Sequence, residues 1–264
     1  MNRIEKKFRE LKKKKETAFI AYLTCGYPNL DTTKKLILEM DKIGVDIIEL
    51  GVPFSDPIAE GPIIQRSSYE ALKKGINLQD ILGLASQIRK TSDIPLVVMS
   101  YYNPINACGI EKFAVKARSC GIDGLIVPDL IPEEAVSLIK ILNKNKLEHI
   151  FLVAPTSDLK RIKEVTKASS GFVYYVSLVG VTGVRKKIAS GIKENINKIR
   201  RFTNKPVCIG FGVSSPKHVK ALRPYADGLI CGSAIIQVME KNPGKQCVKK
   251  TLAFVKKMVN ACKI

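Results

Sequence analysis

Positions 48–61 read Ile-Glu-Leu-Gly-Val-Pro-Phe-Ser-Asp-Pro-Ile-Ala-Glu-Gly, an apolar strand pattern that ends in a loop with two further carboxylates. Alternate residues of a strand share a face. Glu49 therefore shares its face with apolar or small residues: Val45, Ile47 and Gly51. The opposite face carries Ile48 and Leu50. The pattern predicts a buried strand with one carboxyl group turned inward.

Burial of Glu49 needs an explanation, because a carboxylate leaves water only when it is paired, neutralised or used in chemistry. Weak solvation disfavours the charged form and raises the pKa. A glutamate tuned toward neutrality can pass a proton in either direction at pH 7. We therefore regard Glu49 as a candidate general acid and base. The alternative is a structural ion pair between Glu49 and a lysine elsewhere in the chain.

Composition indicates one globular domain over residues 1–264. Hydrophobic residues make up 45% of the chain, which is ample for a core, and no Pro/Gly/Ser-rich linker or low-complexity tract divides it. The amino-terminal residues lack the apolar core of a secretory signal, and no apolar run approaches the ~18 residues of a membrane span. These features predict a cytoplasmic protein with no membrane partner.

The seven cysteines are widely spaced without a Cys-x-x-Cys pair, and the chain has only two histidines. This spacing argues against a zinc site or a disulfide framework. Cys208 and Cys231 lie inside apolar strand patterns, where a free cysteine behaves as a small hydrophobe. We expect core cysteines in a reducing compartment, and no metal.

The formal net charge of the chain is +20. A strongly basic domain can bind nucleic acid through counterion release. The residue types indicate otherwise, because 34 of the 44 basic residues are lysine, whereas phosphate and base recognition favours arginine. The lysines are spread over the predicted helices, and no aromatic ladder accompanies them. We expect a solvated, lysine-rich surface and no nucleic-acid partner. A polyanion-binding face is the alternative.

Eight short apolar runs alternate with amphipathic stretches along the chain. The runs are 18–24, 46–51, 95–101, 123–128, 149–154, 171–177, 206–211 and 227–231. Helical spacing is found at 30–43, 78–89 (an insertion), 109–120, 132–143, 158–168 and 215–222. Eight such units predict an α/β fold, a closed (β/α)8 TIM barrel with extra amino-terminal and loop helices. A doubly wound sheet is the competing fold.

Functional groups of such a barrel lie at the carboxyl ends of the strands and in the loops that follow. Glycine clusters at 210–212 and 232–234 follow the seventh and eighth strands, and Gly183 lies in the sixth loop. Glycines let backbone N–H groups approach an anion, and a helix amino terminus adds partial positive charge. The combination predicts a phosphate site. The absence of a P-loop or a Gly-x-Gly-x-x-Gly turn argues against ATP or a dinucleotide.

These motifs resemble those of one family from end to end, the tryptophan synthase alpha subunits. The segments that carry the resemblance are 21–27, 49–61, 99–104, 127–130, 174–177, 180–183, 210–212 and 232–234. Segment 49–61 is highly specific, whereas the glycine pairs also occur in other phosphate-binding barrels, such as sugar-phosphate isomerases. The resemblance implies a lyase of tryptophan biosynthesis that cleaves indole-3-glycerol phosphate by a retro-aldol reaction to indole and D-glyceraldehyde 3-phosphate. It implies neither a metal nor an organic cofactor.

The same resemblance assigns roles to individual residues. It makes Glu49 the acid and base at indole C3 and at the side-chain hydroxyl, Glu60 the acceptor of the indole N1–H, and Tyr174 a tyrosine beside Glu49. The expected indole slot consists of Tyr22, Ile64, Met99 and Phe211. The expected phosphate ligands are Gly183, Gly212, Gly232 and Ser233.

The resemblance also implies a partner, the beta subunit, which uses pyridoxal phosphate to join indole to serine. It places five residues against that subunit: Pro53, Phe54, Asp56, Asn103 and Pro104. Phe54 is expected as an exposed aromatic on a stiff turn, with local packing as the alternative. An alpha2beta2 heterotetramer is expected, in which loop two and loop six, which contains Thr182, order on binding.

Position 60 departs from the family pattern, which ends Ala-Asp-Gly where this chain has Ala59-Glu60-Gly61. The glutamate is one methylene longer, which displaces its oxygens by about 1 Å, a shift that costs around 10²-fold when geometry is strict. Movement of the loop can absorb that shift. The alternative to an active lyase is a catalytically weakened alpha subunit that acts mainly as an activator of the beta subunit, and Glu60 is its sole support.

Overall fold

The computed structural model describes residues 1–177, 185–210 and 212–263, and of residues 185–190 only the backbone. Its strands follow the apolar runs of the sequence closely. They are Ala18–Thr24 (β1), Ile47–Gly51 (β2), Leu96–Met99 (β3), Gly124–Ile126 (β4), Glu148–Ile150 (β5), Leu152–Val153 (β6), Val173–Val176 (β7), Val207–Gly210 (β8) and Gly228–Cys231 (β9). The fifth predicted strand is thus divided into β5 and β6.

Helices connect and surround the strands. They are Arg3–Lys14 (α1), Leu30–Lys42 (α2), Pro62–Leu72 (α3), Leu78–Arg89 (α4), Tyr102–Cys108 (α5), Ile110–Ser119 (α6), Val136–Lys144 (α7), Leu159–Ala168 (α8), Arg185–Arg200 (α9), Pro216–Leu222 (α10), Ser233–Lys241 (α11) and Gln246–Lys263 (α12). The helix predicted at 132–143 begins only at Val136, because the residues before it form a turn in which the Ala135 N–H donates to the Ile131 carbonyl (3.0 Å).

The strands form one parallel sheet in the order β5-β4-β3-β2-β1-β9-β8-β7-β6. Its two outer members, β5 and β6, are consecutive pieces of the same stretch of chain, so the sheet returns on itself as a barrel. The regular strand is interrupted between β5 and β6 by serine hydroxyls. The N–H groups of His149 and Phe151 donate to Ser170 Oγ (2.8 Å) and Ser169 Oγ (3.3 Å). The TIM barrel prediction is confirmed.

Strand alternation divides the buried side chains into two clusters. The cluster inside the barrel includes Ile20, Ile47, Val97, Ile126, Cys208 and Ile230. The larger cluster lies between the barrel and its helices and includes Ile48, Leu50, Val98 and Leu229. Val45, predicted on the face of Glu49, belongs to the outer cluster, because it precedes β2 and lies outside its alternation.

Helix α1 closes the barrel at the amino-terminal ends of the strands. Its apolar residues Ile4, Phe8 and Leu11 belong to the inner cluster, and the ring of Phe8 lies 5.9 Å from that of Phe172. This plug leaves the opposite end of the barrel, where Glu49 lies, as the open one.

The plug is tied to the barrel wall by a buried aspartate. Asp123 accepts hydrogen bonds from Arg3 (3.1 Å), Arg89 (2.9 Å) and the backbone N–H of Leu96 (2.9 Å). Asn2 adds a bond from its side-chain amide to the Asp123 carbonyl (2.8 Å). A buried carboxylate is tolerated here because two guanidinium groups and a backbone donor replace its hydration.

Candidate active site at the open end of the barrel

Most of the residues predicted for the site line a single cavity of about 50 Å³ at the carboxyl ends of the strands. The predicted residues that line it are Tyr22, Glu49, Glu60, Ile64, Met99, Tyr174, Gly212, Gly232 and Ser233. They come from β1, β2, β3 and β7 and from the loops or helices after β2, β8 and β9. The structure therefore brings together residues that lie more than 200 positions apart in the sequence.

Glu49 lies on β2 with only 1% of its surface exposed, and its strand neighbours in register are Tyr22 and Val97. Its Oε2 atom has no hydrogen-bond partner within the described residues. Burial, and secondarily the charge of Glu60, raises the pKa of Glu49 to about 8. No lysine compensates its charge in the described ion pairs, which argues against the structural ion pair considered above. Glu49 is protonated at neutral pH and faces the cavity.

The raised pKa predicts how stability depends on pH in Glu49→Gln. A group whose pKa is higher in the folded than in the unfolded state favours folding most below its unfolded pKa, and this contribution is lost as the pH rises through the folded pKa. For Glu49 that window runs from 4.5 to about 8. Glutamine does not titrate. As the pH rises across this window, the free energy of unfolding of Glu49→Gln should therefore increase relative to that of the wild type by up to a few kcal/mol. Urea unfolding at pH 5, 7 and 8.5 measures this difference, and a difference independent of pH would contradict it.

Glu60 lies in the loop after β2, half-buried at the mouth of the cavity. One of its oxygens, Oε2, accepts a hydrogen bond from the hydroxyl of Tyr101. Burial raises the pKa of Glu60, and the Tyr101 hydroxyl opposes that rise because it stabilises the carboxylate. The site therefore holds two carboxyl groups in different environments: Oε2 of Glu49 has no donor among the described residues, whereas Oε2 of Glu60 has the Tyr101 hydroxyl.

Two tyrosines flank the cavity, and each needs a glycine beside it. A side-chain carbon at Gly51 would collide with the hydroxyl end of Tyr22, and one at Gly210 would collide with the ring of Tyr174. Both glycines end their strands, so the tyrosine rings can lie across the strand ends beside Glu49. Burial raises the pKa of Tyr22 and of Tyr174 well above the ordinary value, so both hydroxyls remain protonated.

Ile64 is positioned by a buried pair of hydroxyl groups. Thr24 at the end of β1 and Ser67 on α3 lie 2.7 Å apart, and Ser67 donates to the Ile64 carbonyl (2.8 Å). These bonds fix the first turns of α3 against β1. Ile64 and Met99 both line the cavity as apolar walls.

The glycines after β8 and β9 meet at one side of the same cavity. Gly212 has a φ of +77°, a conformation that favours glycine, and Gly232 is followed at once by Ser233, the first residue of α11. The first N–H groups of a helix have no partner within the helix and carry partial positive charge. This side of the cavity can bind an anion through backbone groups.

Three predicted site residues, Thr182, Gly183 and Phe211, lie outside the described residues. Two cavity residues were not predicted: Val213 and Ile230. Tyr101, which touches Glu60, has no role in the sequence analysis. Its position directly after the third strand indicates that it lies at the open end of the barrel, but not which group it touches.

The residues predicted to contact a partner differ in their exposure. Asp56 and Asn103 are exposed and Pro104 is half-buried, but Pro53 is buried. Phe54 is half-buried rather than exposed, because its ring stacks on that of Tyr101 with centroids 4.9 Å apart. The exposed apolar residue of this loop is Ile58, with 80% of its surface accessible.

The described residues contain no cluster of three or more His, Cys, Asp or Glu side chains arranged to hold a metal ion. None of the helices searched in the described parts of the chain has the length and apolar character needed to cross a membrane.

Comparison with known proteins gives one consistent result. The model of the family described as tryptophan synthase alpha chain matches residues 8–263. The tryptophan synthase alpha chain of Clostridium kluyveri is 46% identical over 256 residues, which cover 97% of each chain. The structure of tryptophan synthase subunit alpha from Legionella pneumophila is 32% identical with a TM-score of 0.90 and covers 99% of this chain and 98% of that one. A structure of Mycobacterium tuberculosis tryptophan synthase is 33% identical with a TM-score of 0.90 and covers 100% of this chain and 99% of that one. The chain belongs to the tryptophan synthase alpha chain family.

Proposed function

We propose that the cavity around Glu49 is where this chain carries out the reaction of its family, the cleavage of indole-3-glycerol phosphate to indole and D-glyceraldehyde 3-phosphate. One observation carries the proposal. A fully buried carboxyl group with a pKa of about 8 lines the same cavity as a second carboxyl group, two glycines and the amino terminus of α11. That arrangement offers a proton, a negative charge and an anion site in one place.

Glu49 supplies the proton transfers. The protonated carboxyl donates its proton to C3 of the indole, which forms a C3–H bond and leaves positive charge on the ring. The bond from C3 to the glycerol chain then breaks, and its electron pair returns to the ring. The hydroxyl on the departing carbon becomes the aldehyde, and its proton returns to Glu49. The residue ends in the state in which it began, so one group with a pKa near neutrality serves both steps.

Glu60 stabilises the charge that develops on the ring. Its carboxylate accepts a hydrogen bond from the indole N1–H, which becomes more acidic as C3 is protonated. A carboxylate placed where positive charge develops lowers the barrier most effectively when it is already oriented in a site shielded from water.

The remaining groups bind the two ends of the substrate. The indole ring binds among the apolar and aromatic side chains of the cavity: Tyr22, Ile64, Met99 and Tyr174. The phosphate binds to backbone N–H groups at Gly212, Gly232 and Ser233. The roles of Phe211 and Gly183 rest on the resemblance alone, because both lie outside the described residues. The cavity of about 50 Å³ is smaller than the ~300 Å³ typical of ligand pockets, so we expect side chains and loops at the mouth to adjust when the substrate binds.

The chemistry needs no cofactor of this chain, because carboxyl groups supply every proton transfer. We propose that pyridoxal phosphate belongs to the partner beta subunit, and that two alpha and two beta chains form a heterotetramer. The surface for the partner includes Asp56, Ile58 and Asn103, which are exposed at the open end of the barrel. Indole released there has a short path to a neighbouring subunit.

We propose a cytoplasmic location and a single domain over residues 1–264. Free cysteines at well-separated positions fit a reducing compartment. The single sheet that returns on itself, together with the contacts of α1 with the barrel, supports one folding unit.

The direct test is release of glyceraldehyde 3-phosphate from indole-3-glycerol phosphate, followed with a coupled dehydrogenase, with and without the beta subunit. We expect turnover by the isolated chain and a higher rate when the beta subunit is added. No turnover in either case, with the beta subunit still stimulated on free indole, would contradict the proposal. It would instead support the activator that Glu60 suggested.

A further inference from the structure

Tyr101 is a buried residue of the open end that the reaction described above does not use. Its hydroxyl makes three hydrogen bonds to consecutive residues of the loop after β2. The backbone N–H groups of Ile58 and Ala59 each donate to the hydroxyl oxygen at 2.8 Å, and the hydroxyl donates its own proton to Oε2 of Glu60. One phenolic oxygen thus fixes the backbone before Glu60 and the carboxylate of Glu60 itself.

The ring of Tyr101 is held as firmly as its hydroxyl. Phe54, at the start of the same loop, stacks on it with an angle of 26° between the ring planes. The loop therefore touches Tyr101 at both ends, at Phe54 and at 58–60. Aromatic stacking and three hydrogen bonds together leave the loop little freedom to carry Glu60 elsewhere while these contacts last.

The backbone of Tyr101 is anchored from the other side. The residue directly precedes α5, and the N–H of Tyr102 donates to both carboxylate oxygens of Asp129, at 3.0 and 3.2 Å. Asp129 follows β4, so the start of α5 is tied to the next strand of the barrel. Tyr101 thus links the ends of two strands to the loop after β2.

We propose that Tyr101 is the positioning residue for Glu60, which holds one carboxylate oxygen in place and leaves the second to accept the indole N1–H. The proposal rests on the proposed role of Glu60 and adds to it the group that orients it. Each carboxylate oxygen has two acceptor positions, so the bond to Tyr101 leaves capacity for the substrate. The longer side chain of glutamate makes such a support more necessary, because each added rotatable bond increases the number of positions its oxygens can occupy.

Protonation supports the same assignment. Burial raises the pKa of Tyr101, and the adjacent Glu60 raises it further, so the hydroxyl remains a donor over the whole working range of pH. Burial and the charge of Asp129 raise the pKa of Glu60, whereas the bond from Tyr101 and the backbone N–H groups of Ala59 and Glu60 lower it. The Tyr101 bond thus favours the ionised carboxylate, the form needed to stabilise positive charge on the ring.

The test is Tyr101→Phe, which deletes the hydroxyl and keeps the ring that stacks on Phe54. We expect kcat to fall by roughly 10- to 100-fold, because the Glu60 carboxylate loses its orientation. KM should change by less than about threefold, because the pocket that binds the substrate remains intact. The acid limb of the pH profile of kcat/KM should move to higher pH, because the pKa of Glu60 rises when its donor is lost. Thermal melting monitors the fold.

The matched control is Tyr175→Phe. The hydroxyl of Tyr175 also has a side-chain partner, accepting from the amide of Asn195 at 2.9 Å, but it lies in the outer cluster between barrel and helices. The same atom is removed in both variants, and only Tyr101→Phe should change kcat and shift the acid limb.

A double-mutant cycle decides whether Tyr101 acts through Glu60. If it does, adding Tyr101→Phe to Glu60→Gln should lower kcat by less than about threefold, because the carboxylate that Tyr101 orients is already gone. Independent, multiplying losses would overturn the proposal. So would an unchanged kcat and pH profile in Tyr101→Phe alone. An inactive wild-type chain would instead count against the proposed function.

Discussion

Glu49→Gln should reduce kcat for cleavage of indole-3-glycerol phosphate by roughly 10³- to 10⁴-fold. A single general acid or base contributes about 10²- to 10⁴-fold, and Glu49 serves as both. Glutamine matches the volume and polarity of protonated glutamic acid, which is the form present at neutral pH, so the cavity keeps its shape. The loss therefore reports the missing proton rather than a changed pocket. The coupled dehydrogenase assay measures it.

Binding provides the control for Glu49→Gln. A substrate analogue without the hydroxyl on the carbon next to the ring cannot be cleaved, and calorimetry gives its affinity for both proteins. We expect affinities within about threefold of each other, because the amide preserves the neutral surface that the ligand meets. Near-normal turnover in Glu49→Gln would remove Glu49 from its role. Loss of binding together with turnover would show that the substitution damages the pocket.

Glu60→Gln should reduce kcat by roughly 10²- to 10³-fold, the range found when one preorganised electrostatic contact is removed from an active site. The carbonyl of glutamine can still accept the indole N1–H, but it carries no charge to oppose the positive charge on the ring. KM should change little, because the ring of the bound substrate is neutral before C3 is protonated. Steady-state kinetics at neutral pH separate the two parameters.

The comparison variant for this position is Glu60→Asp, which keeps the charge and restores the residue of the family pattern. We expect it to retain turnover far above that of Glu60→Gln. Equal activities in the two variants would show that the charge at position 60 is not used.

The barrel could be predicted from sequence because its strands are buried on both faces. Runs such as 95–99 and 206–211 are apolar throughout, which is typical of parallel strands covered by helices. Glu49 could be recognised because a carboxyl group inside such an apolar run is costly to bury unless it is paired, neutralised or used in chemistry. The division of the fifth strand did not show in its apolar pattern. It depends on the hydroxyls of Ser169 and Ser170, about 20 residues further along the chain.

The loop after β2 shows where sequence reasoning ends. The sequence indicates the carboxylates of this loop. It does not indicate the burial of Phe54, whose ring stacks on Tyr101, 47 positions away. The bond from Tyr101 to Glu60 spans 41 positions, and nothing local to either residue announces it. Strand-end positions predict which side chains share an opening. They do not predict which of them touch, because loop conformation decides that.

The plug formed by α1 has a consequence for the order of folding. The partners of its residues, at Asp123, Lys146 and Phe172, lie more than 100 positions away along the chain. Lys263 likewise pairs with Asp46 and Glu16 across more than 200 positions. Contacts of such long sequence separation cost the most loop-closure entropy, so we expect them to form late in folding, after neighbouring strands have paired.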